Sequence, residues 1–137
     1  MQTDYLSEVR RPGQTANPLF NFFGIRVVEI TAEEAVLELL LRPEFQQGAG
    51  VTAGGVIATL ADEAMAHAVL ANLQPGESTA TIEMNLRFLS PIKEGSARAI
   101  ARVIKKGRKV ATVEAEIRDD SDRVLARAGA SFIILDK

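Results

Sequence analysis

The chain of 137 residues is 47% apolar and 25% charged, the size and balance of one compact globular domain, taken as 1–137 with a loose lead-in over 1–16. Sixteen Lys and Arg against eighteen Asp and Glu leave a net charge of −2, too little positive field to hold a phosphate backbone, so no nucleic-acid partner is expected. With no cysteine and a single histidine, His67, the chain excludes a thiolate nucleophile, a cysteine-ligated metal and a multi-histidine metal site, and any Ser-His-acid triad has to run through His67.

Met1 to Arg11 carries Asp4, Glu8, Arg10 and Arg11 and lacks the apolar core of a signal peptide. No uncharged apolar run reaches membrane-spanning length, so the expectation is a cytoplasmic protein with no membrane partner. Asn17-Pro18 followed by Leu19, Phe20, Phe22 and Phe23 and then Gly24 predicts a short capped helix with an apolar face. Its phenylalanines suit core packing or the wall of an acyl pocket. Ile25 to Ile30 and Ala35 to Leu41, separated by Thr31-Ala32-Glu33-Glu34, predict a strand pair closed by Pro43.

Gly48-Ala49-Gly50-Val51-Thr52-Ala53-Gly54-Gly55 then punctuates the chain before the only long helical stretch, Gly54 to Asn72, which is alanine-rich and ended by Leu73-Gln74-Pro75-Gly76. Apolar residues fall on nearly every side of this helix, which predicts burial. After Gly76 the period becomes two. Ile82, Met84, Leu86 and Phe88 alternate with Thr81, Glu83, Asn85 and Arg87, predicting one apolar and one polar face. Ala97 to Ile104, Val110 to Arg118 and Val124 to Ile134 repeat the alternation, so four strands in an antiparallel meander are expected. The fold class is α+β: six antiparallel strands wrapped around one central helix.

Asp62 is the informative residue of that helix, because a carboxylate in an otherwise apolar setting needs a partner, a cleft or a chemical task. Capping or pairing with a nearby loop is the plainer alternative. Gly54 and Gly55 place unhindered N–H groups at the helix N-terminus, where a developing oxyanion is favoured. Glycines before a helix are also ordinary turn residues, and Gly48-x-Gly50-x-x-x-Gly54 only loosely resembles a dinucleotide fingerprint, since no crossover helices follow. Gly54 and Asp62 stand eight residues apart, roughly 12 Å along one helix, so a single reacting carbonyl meets both only if two copies of the helix run antiparallel in a two-fold dimer.

The stretch Gln47 to Asp62, joined to Thr81-Ile82-Glu83-Met84-Asn85-Leu86-Arg87-Phe88-Leu89-Ser90-Pro91, resembles the hotdog-fold acyl-CoA thioesterases. The likeness is to the branch of the phenylacetic-acid-pathway and 4-hydroxybenzoyl-CoA thioesterases. That family shows His-Gly-Gly, six residues and then an acid; here Ala53 stands where histidine is usual. The resemblance implies a hotdog fold and a homo-oligomer, a dimer or a dimer of dimers. It implies hydrolysis of an acyl-CoA or aroyl-CoA with no separate cofactor, coenzyme A being part of the substrate. It further implies Asp62 as general base or nucleophile, the Gly54 N–H as carbonyl-polarising donor, Gln47 as an amide holding carbonyl or water, and Thr81 as a hydroxyl orienting that water. Glycine and amide come from one subunit and the acid from the other.

Lys105, Lys106, Gly107, Arg108 and Lys109 form a charged turn that is either merely solvated or, as the resemblance implies, set to meet coenzyme A phosphates. Gly55, Asn85 and Arg87 are further candidates for substrate contact. Glu63 and His67, four apart, make too few ligands for a metal site, and Ser131 lacks the glycines of a nucleophile elbow. The alternatives to a thioesterase are a non-catalytic acyl-CoA-binding domain, which Ala53 motivates, and a hydroxyacyl-thioester dehydratase, for which His67 lies too far from the glycine turn.

Overall fold

The computed structural model describes residues 2–136. Three helices, α1 (Gln2–Val9), α2 (Pro18–Phe23) and α3 (Gly54–Leu70), accompany six strands, β1 (Ile25–Ile30), β2 (Ala35–Leu40), β3 (Glu77–Phe88), β4 (Ser96–Lys106), β5 (Val110–Arg118) and β6 (Val124–Asp136), with a short 3₁₀ turn at Pro43–Phe45. The strands form one antiparallel sheet in the order β1-β2-β4-β5-β6-β3. The sheet wraps α3, as the hotdog resemblance implies.

Local chemistry explains the elements. Asn17 caps α2 by accepting the Phe20 N–H on Oδ1, Pro18 occupies the first turn, and Gly24 closes the helix at φ 79°, where a side chain would be strained. Ile57, Leu60, Ala61, Ala64, Met65 and Ala68 of α3 are buried against inward residues of the sheet such as Leu37, Ala99, Val113, Ile117 and Phe132. Alanines recur on both surfaces, which lets helix and sheet approach closely. Among the described residues no helix is long and apolar enough to cross a membrane.

Three expectations are corrected. The lead-in over 1–16 is not loose throughout. Its first part is α1, whose Val9 is buried and whose Tyr5 and Leu6 pack on the core, because Tyr5, Leu6 and Val9 share one helical face. The four-strand meander is a three-strand one: β3 pairs with β6 at the sheet edge and not with β4. Its link to β4 is too long for a tight turn, contains Pro91, and runs across the end of the sheet, with the Leu89 and Ser90 N–H groups donating to the Leu125 carbonyl and Gly95 O accepting from Leu41 N. Finally, α3 is not covered all round. Gly55 is exposed, and Ala58, Thr59, Asp62 and Ala66 beside it are only half-buried, a stripe that the chain's own sheet covers only in part.

Candidate active site

The N-terminus of α3 forms one wall of a cleft of about 530 Å³, lined by Gln47, Val51, Thr52, Gly54 and the run Phe88 to Ile92. Gln47 N donates to Val51 O and Ala53 N to Phe45 O, so the glycine-rich segment is tied back as a tight loop that delivers the chain to the first turn of the helix. Ala53 is the N-cap, and its methyl group offers no hydrogen bond to the turn. Among the N–H groups of that turn, those of Gly54 and Gly55 lie at the positive end of the helix dipole. The Phe88 ring lies so close that a Cβ on Gly54 would meet Phe88 Cζ at 3.1 Å. Glycine is therefore favoured there by close approach, not by an unusual φ.

Asp62 sits two turns further along α3. It is half-buried, and its Oδ1 accepts the Thr81 hydroxyl at 2.9 Å. This bond depends on a β-bulge. Thr81 stands opposite Phe132 and Met84 opposite Ala130, so two residues of β3, Ile82 and Glu83, lie between positions whose β6 partners are only two apart. Phe132 and Ala130 are both buried on the inner side of the sheet, which places Thr81 and Met84 there too. The polar face expected for Thr81 with Glu83, Asn85 and Arg87 is thus corrected at Thr81, which shares the helix-facing side with Met84, Leu86 and Phe88. Ile82, expected on the apolar side, is 52% exposed.

Gln47 and Gly54 meet at one cleft, and Asp62 meets Thr81. Within the chain the two pairs stay apart by the length of helix between them. Gly55, at the mouth of the first turn, is exposed. Asn85 and Arg87 are exposed on the outer face of β3, with Asn85 lying over Gly129. At the β4–β5 turn Lys105, Arg108 and Lys109 are exposed, and the Gly107 N–H is spent on Val110 O. Lys106 turns inward after a register shift in β4 and binds Glu77 at 3.2 Å, an ion pair that holds the end of the wrapped sheet.

A second polar cluster lies one turn beyond Asp62. The His67 ring is buried; its Nδ1 donates to the Glu63 carbonyl at 2.7 Å, so its Nε2 accepts the Tyr5 hydroxyl at 2.8 Å, and Phe20 packs against the ring. The Asn17 amide donates to the Tyr5 oxygen at 2.8 Å. Burial holds the His67 ring below the ordinary imidazole range. Burial, and then the neighbouring Asp62 charge, raise the Glu63 carboxyl above its usual range while Asn17 opposes the shift. His67 thus fastens α1 to α3 and holds no reacting position. The sequence reading missed this cluster and the cleft-lining roles of Thr52 and Phe88; the helical spacing of Tyr5, Leu6 and Val9 was its one available signal.

Comparison with known proteins bears on the fold and the family. Residues 49–126 match the sequence family described as the thioesterase superfamily. The chain is 28% identical over 132 residues to a protein of Saccharolobus solfataricus named as a candidate esterase, across 96% of this chain and 94% of the relative. It superposes with TM-score 0.85 and 27% identity on a Ralstonia eutropha phenylacetic acid degradation-related protein titled a candidate thioesterase, covering 94% of this chain and 98% of that one. It also superposes on the Escherichia coli PaaI protein of the phenylacetic acid degradation operon with TM-score 0.79 at 20% identity, over 87% and 85% of the two chains, a likeness of fold. The sheet wrapped around a single helix is therefore the hotdog fold, and the chain belongs to the thioesterase superfamily, a family of hydrolases.

Proposed function

We propose that the protein hydrolyses an acyl-CoA or aroyl-CoA to the free acid and coenzyme A at a site shared by two subunits. The observation that carries this reading is the division of the candidate residues along α3: a carbonyl-polarising cleft with Gln47 and Gly54 at its start, and an Asp62–Thr81 pair roughly 12 Å further on. Antiparallel approach of two α3 helices along their uncovered stripes would bring one chain's acid to its twin's glycine amide. The free edge of β3, with Ile82 and Phe88 exposed and Leu89 exposed just beyond it, supports pairing of two copies, since an apolar strand edge seeks a partner.

In this reading Asp62 accepts a proton from water that Thr81 helps to orient, the water oxygen bonds to the thioester carbon, and the carbonyl electrons move onto oxygen facing the Gly54 N–H and the Gln47 amide. The C–S bond then breaks, and the thiolate of coenzyme A takes up the proton. Direct attack by the Asp62 carboxylate, forming an anhydride that water then opens, uses the same parts. A thioester needs little more, because its thiolate leaves readily. Gly55, Asn85, Arg87 and the turn with Lys105, Gly107 and Arg108 are assigned to holding coenzyme A, Lys106 supporting that turn through Glu77. Ala53, which gives the helix no side-chain cap, keeps a second reading alongside: binding of an intact acyl-CoA without turnover.

The test is free-thiol release from a panel of acyl- and aroyl-CoAs by the wild type and Asp62→Asn. Release by the wild type that falls at least about a hundredfold in the variant is expected. Equal rates would remove Asp62 from the mechanism, and tight binding with no release from any thioester would favour the second reading.

A further inference from the structure

We infer that the cleft at the head of α3 selects neutral, apolar acyl groups and turns away those ending in a carboxylate, Phe88 and Leu89 forming the specificity-determining wall. This rests on the reading of the cleft given above and names the class of acyl group it takes. With the thioester carbonyl at the first turn of α3, the rest of the acyl group has to lie along the surface that continues from Gly54. That surface is apolar. It consists of Phe88, whose ring lies against Gly54, then Leu89, Pro91 and Ile92, with Val51 from the glycine-rich loop. Phe88 and Leu89 are 50% and 57% exposed, so hydrocarbon laid on them would remove apolar surface from water.

Charge is what this lining lacks. Its polar side chains, Gln47, Thr52 and Ser90, are neutral, and among the described residues no Lys, Arg, Asp or Glu lines the cleft. An adjoining groove shares Pro91 and Ile92 with it and holds two cations, Lys93 and Arg123, but also two acids, Glu94 and Asp119. Arg123 Nε stands 3.6 Å from Asp119 Oδ2, so that groove offers a passing carboxylate no net positive charge. The half-buried stripe of α3 that a second copy would present, Ala58, Thr59, Asp62 and Ala66, adds one charge, and it is negative. The helix N-terminus does favour an anion, but that place belongs to the developing oxyanion. A terminal carboxylate would thus exchange water for an apolar wall with no counter-ion and an acid across the site, whereas a hydrocarbon tail loses nothing.

The test compares hexanoyl-CoA with adipoyl-CoA, which share a chain length and differ by a terminal carboxylate. For the wild type kcat/KM is expected to be about fiftyfold or more higher for hexanoyl-CoA. Leu89→Lys, which sets a cation on the exposed part of the wall, should narrow that ratio about tenfold, chiefly by improving adipoyl-CoA. Phe88→Lys takes its place if Leu89→Lys lowers the melting temperature. A wild-type ratio within about threefold, or a ratio unmoved by the added cation, would overturn the assignment. A readout independent of turnover separates this from failure of the hydrolysis reading. Calorimetric titration of the wild type with the uncleavable thioethers S-hexyl-CoA and S-(5-carboxypentyl)-CoA should show the first binding about tenfold or more tighter. Equal dissociation constants overturn the selectivity whether or not thioesters are cleaved. A kept preference without thiol release from any thioester upholds the selectivity and overturns hydrolysis, and binding of neither thioether overturns both.

Discussion

The Thr81 hydroxyl donates to Asp62 Oδ1 at 2.9 Å, joining an edge strand to the middle of the central helix. One carboxylate oxygen is thereby fixed on the half-buried stripe of α3.

Thr81→Val should therefore lower kcat by about ten- to a hundredfold while leaving KM close to the wild type, and Thr81→Ser should restore most of the loss. Steady-state thiol release from the best substrate measures both. A valine variant with normal kcat would show that the hydroxyl only supports the fold.

A shared site makes a stoichiometric prediction. Asp62→Asn and Gly54→Val, each inactive alone, should regain about a quarter of wild-type activity when equal amounts are unfolded together and refolded, since half the dimers are mixed and each mixed dimer rebuilds one of two sites. Activity no greater than the sum of the parents would place both halves in one chain.

The close contact at the head of α3 predicts a coupled pair. Gly54→Ala would set its Cβ 3.1 Å from Phe88 Cζ, and because Phe88 is 50% exposed its ring can yield. Little change in melting temperature is expected, with a fall of about tenfold in kcat/KM as the ring is pushed into the cleft, and partial recovery when Phe88→Leu is added. Kinetics of the two single variants and the double variant measure the coupling.

Acid should loosen α1. Burial lowers the His67 value from 6.5, so the unfolded chain takes up its proton at higher pH than the folded one does. The contribution of neutral His67 is fully present above pH 6.5 and is lost as pH falls through its depressed folded value. Glu63 acts in the opposite sense: its raised carboxyl favours the folded state at low pH, and that contribution fades as pH rises from 4.5. Denaturant unfolding against pH should show the acid decline of the wild type flattened in His67→Gln. At neutral pH Tyr5→Phe should cost about 1–2 kcal/mol by stranding His67 Nε2.

The β4–β5 turn should divide by role. Lys105→Ala with Arg108→Ala is expected to raise KM for an acyl-CoA severalfold, more so at low salt, with kcat retained. Lys106→Ala, which leaves Glu77 without this cation, should act chiefly on thermal stability. Equal KM effects from all three positions would mean that Lys106 also reaches the substrate.

Much of this was legible in the residues. Asn17-Pro18 and Gly24 marked the ends of α2, and Gly54 marked the first residue of α3, because caps and breakers act locally. The spacing of Gly54 and Asp62 was likewise readable from helical rise alone. What escaped was non-local. The pairing of β3 with β6 instead of β4 depends on where a seven-residue link can run, and strict alternation around Ile82 gave no sign that one extra residue reverses the strand's sides. Thr81 consequently read as outward-facing although it reaches Asp62.

That extra residue in β3 also constrains how the strand can change over descent. Deleting Ile82 would remove the bulge and leave Thr79 and Thr81 on the helix-facing side, whereas regular pairing of the full strand would carry them to the opposite surface of the sheet while Met84, Leu86 and Phe88 stayed in place. In that second case the acid on the helix would lose its hydroxyl neighbour without any substitution in either residue. A chain of this family that keeps the Asp–Thr contact has therefore to keep the extra residue and the bulge together or to lose both together.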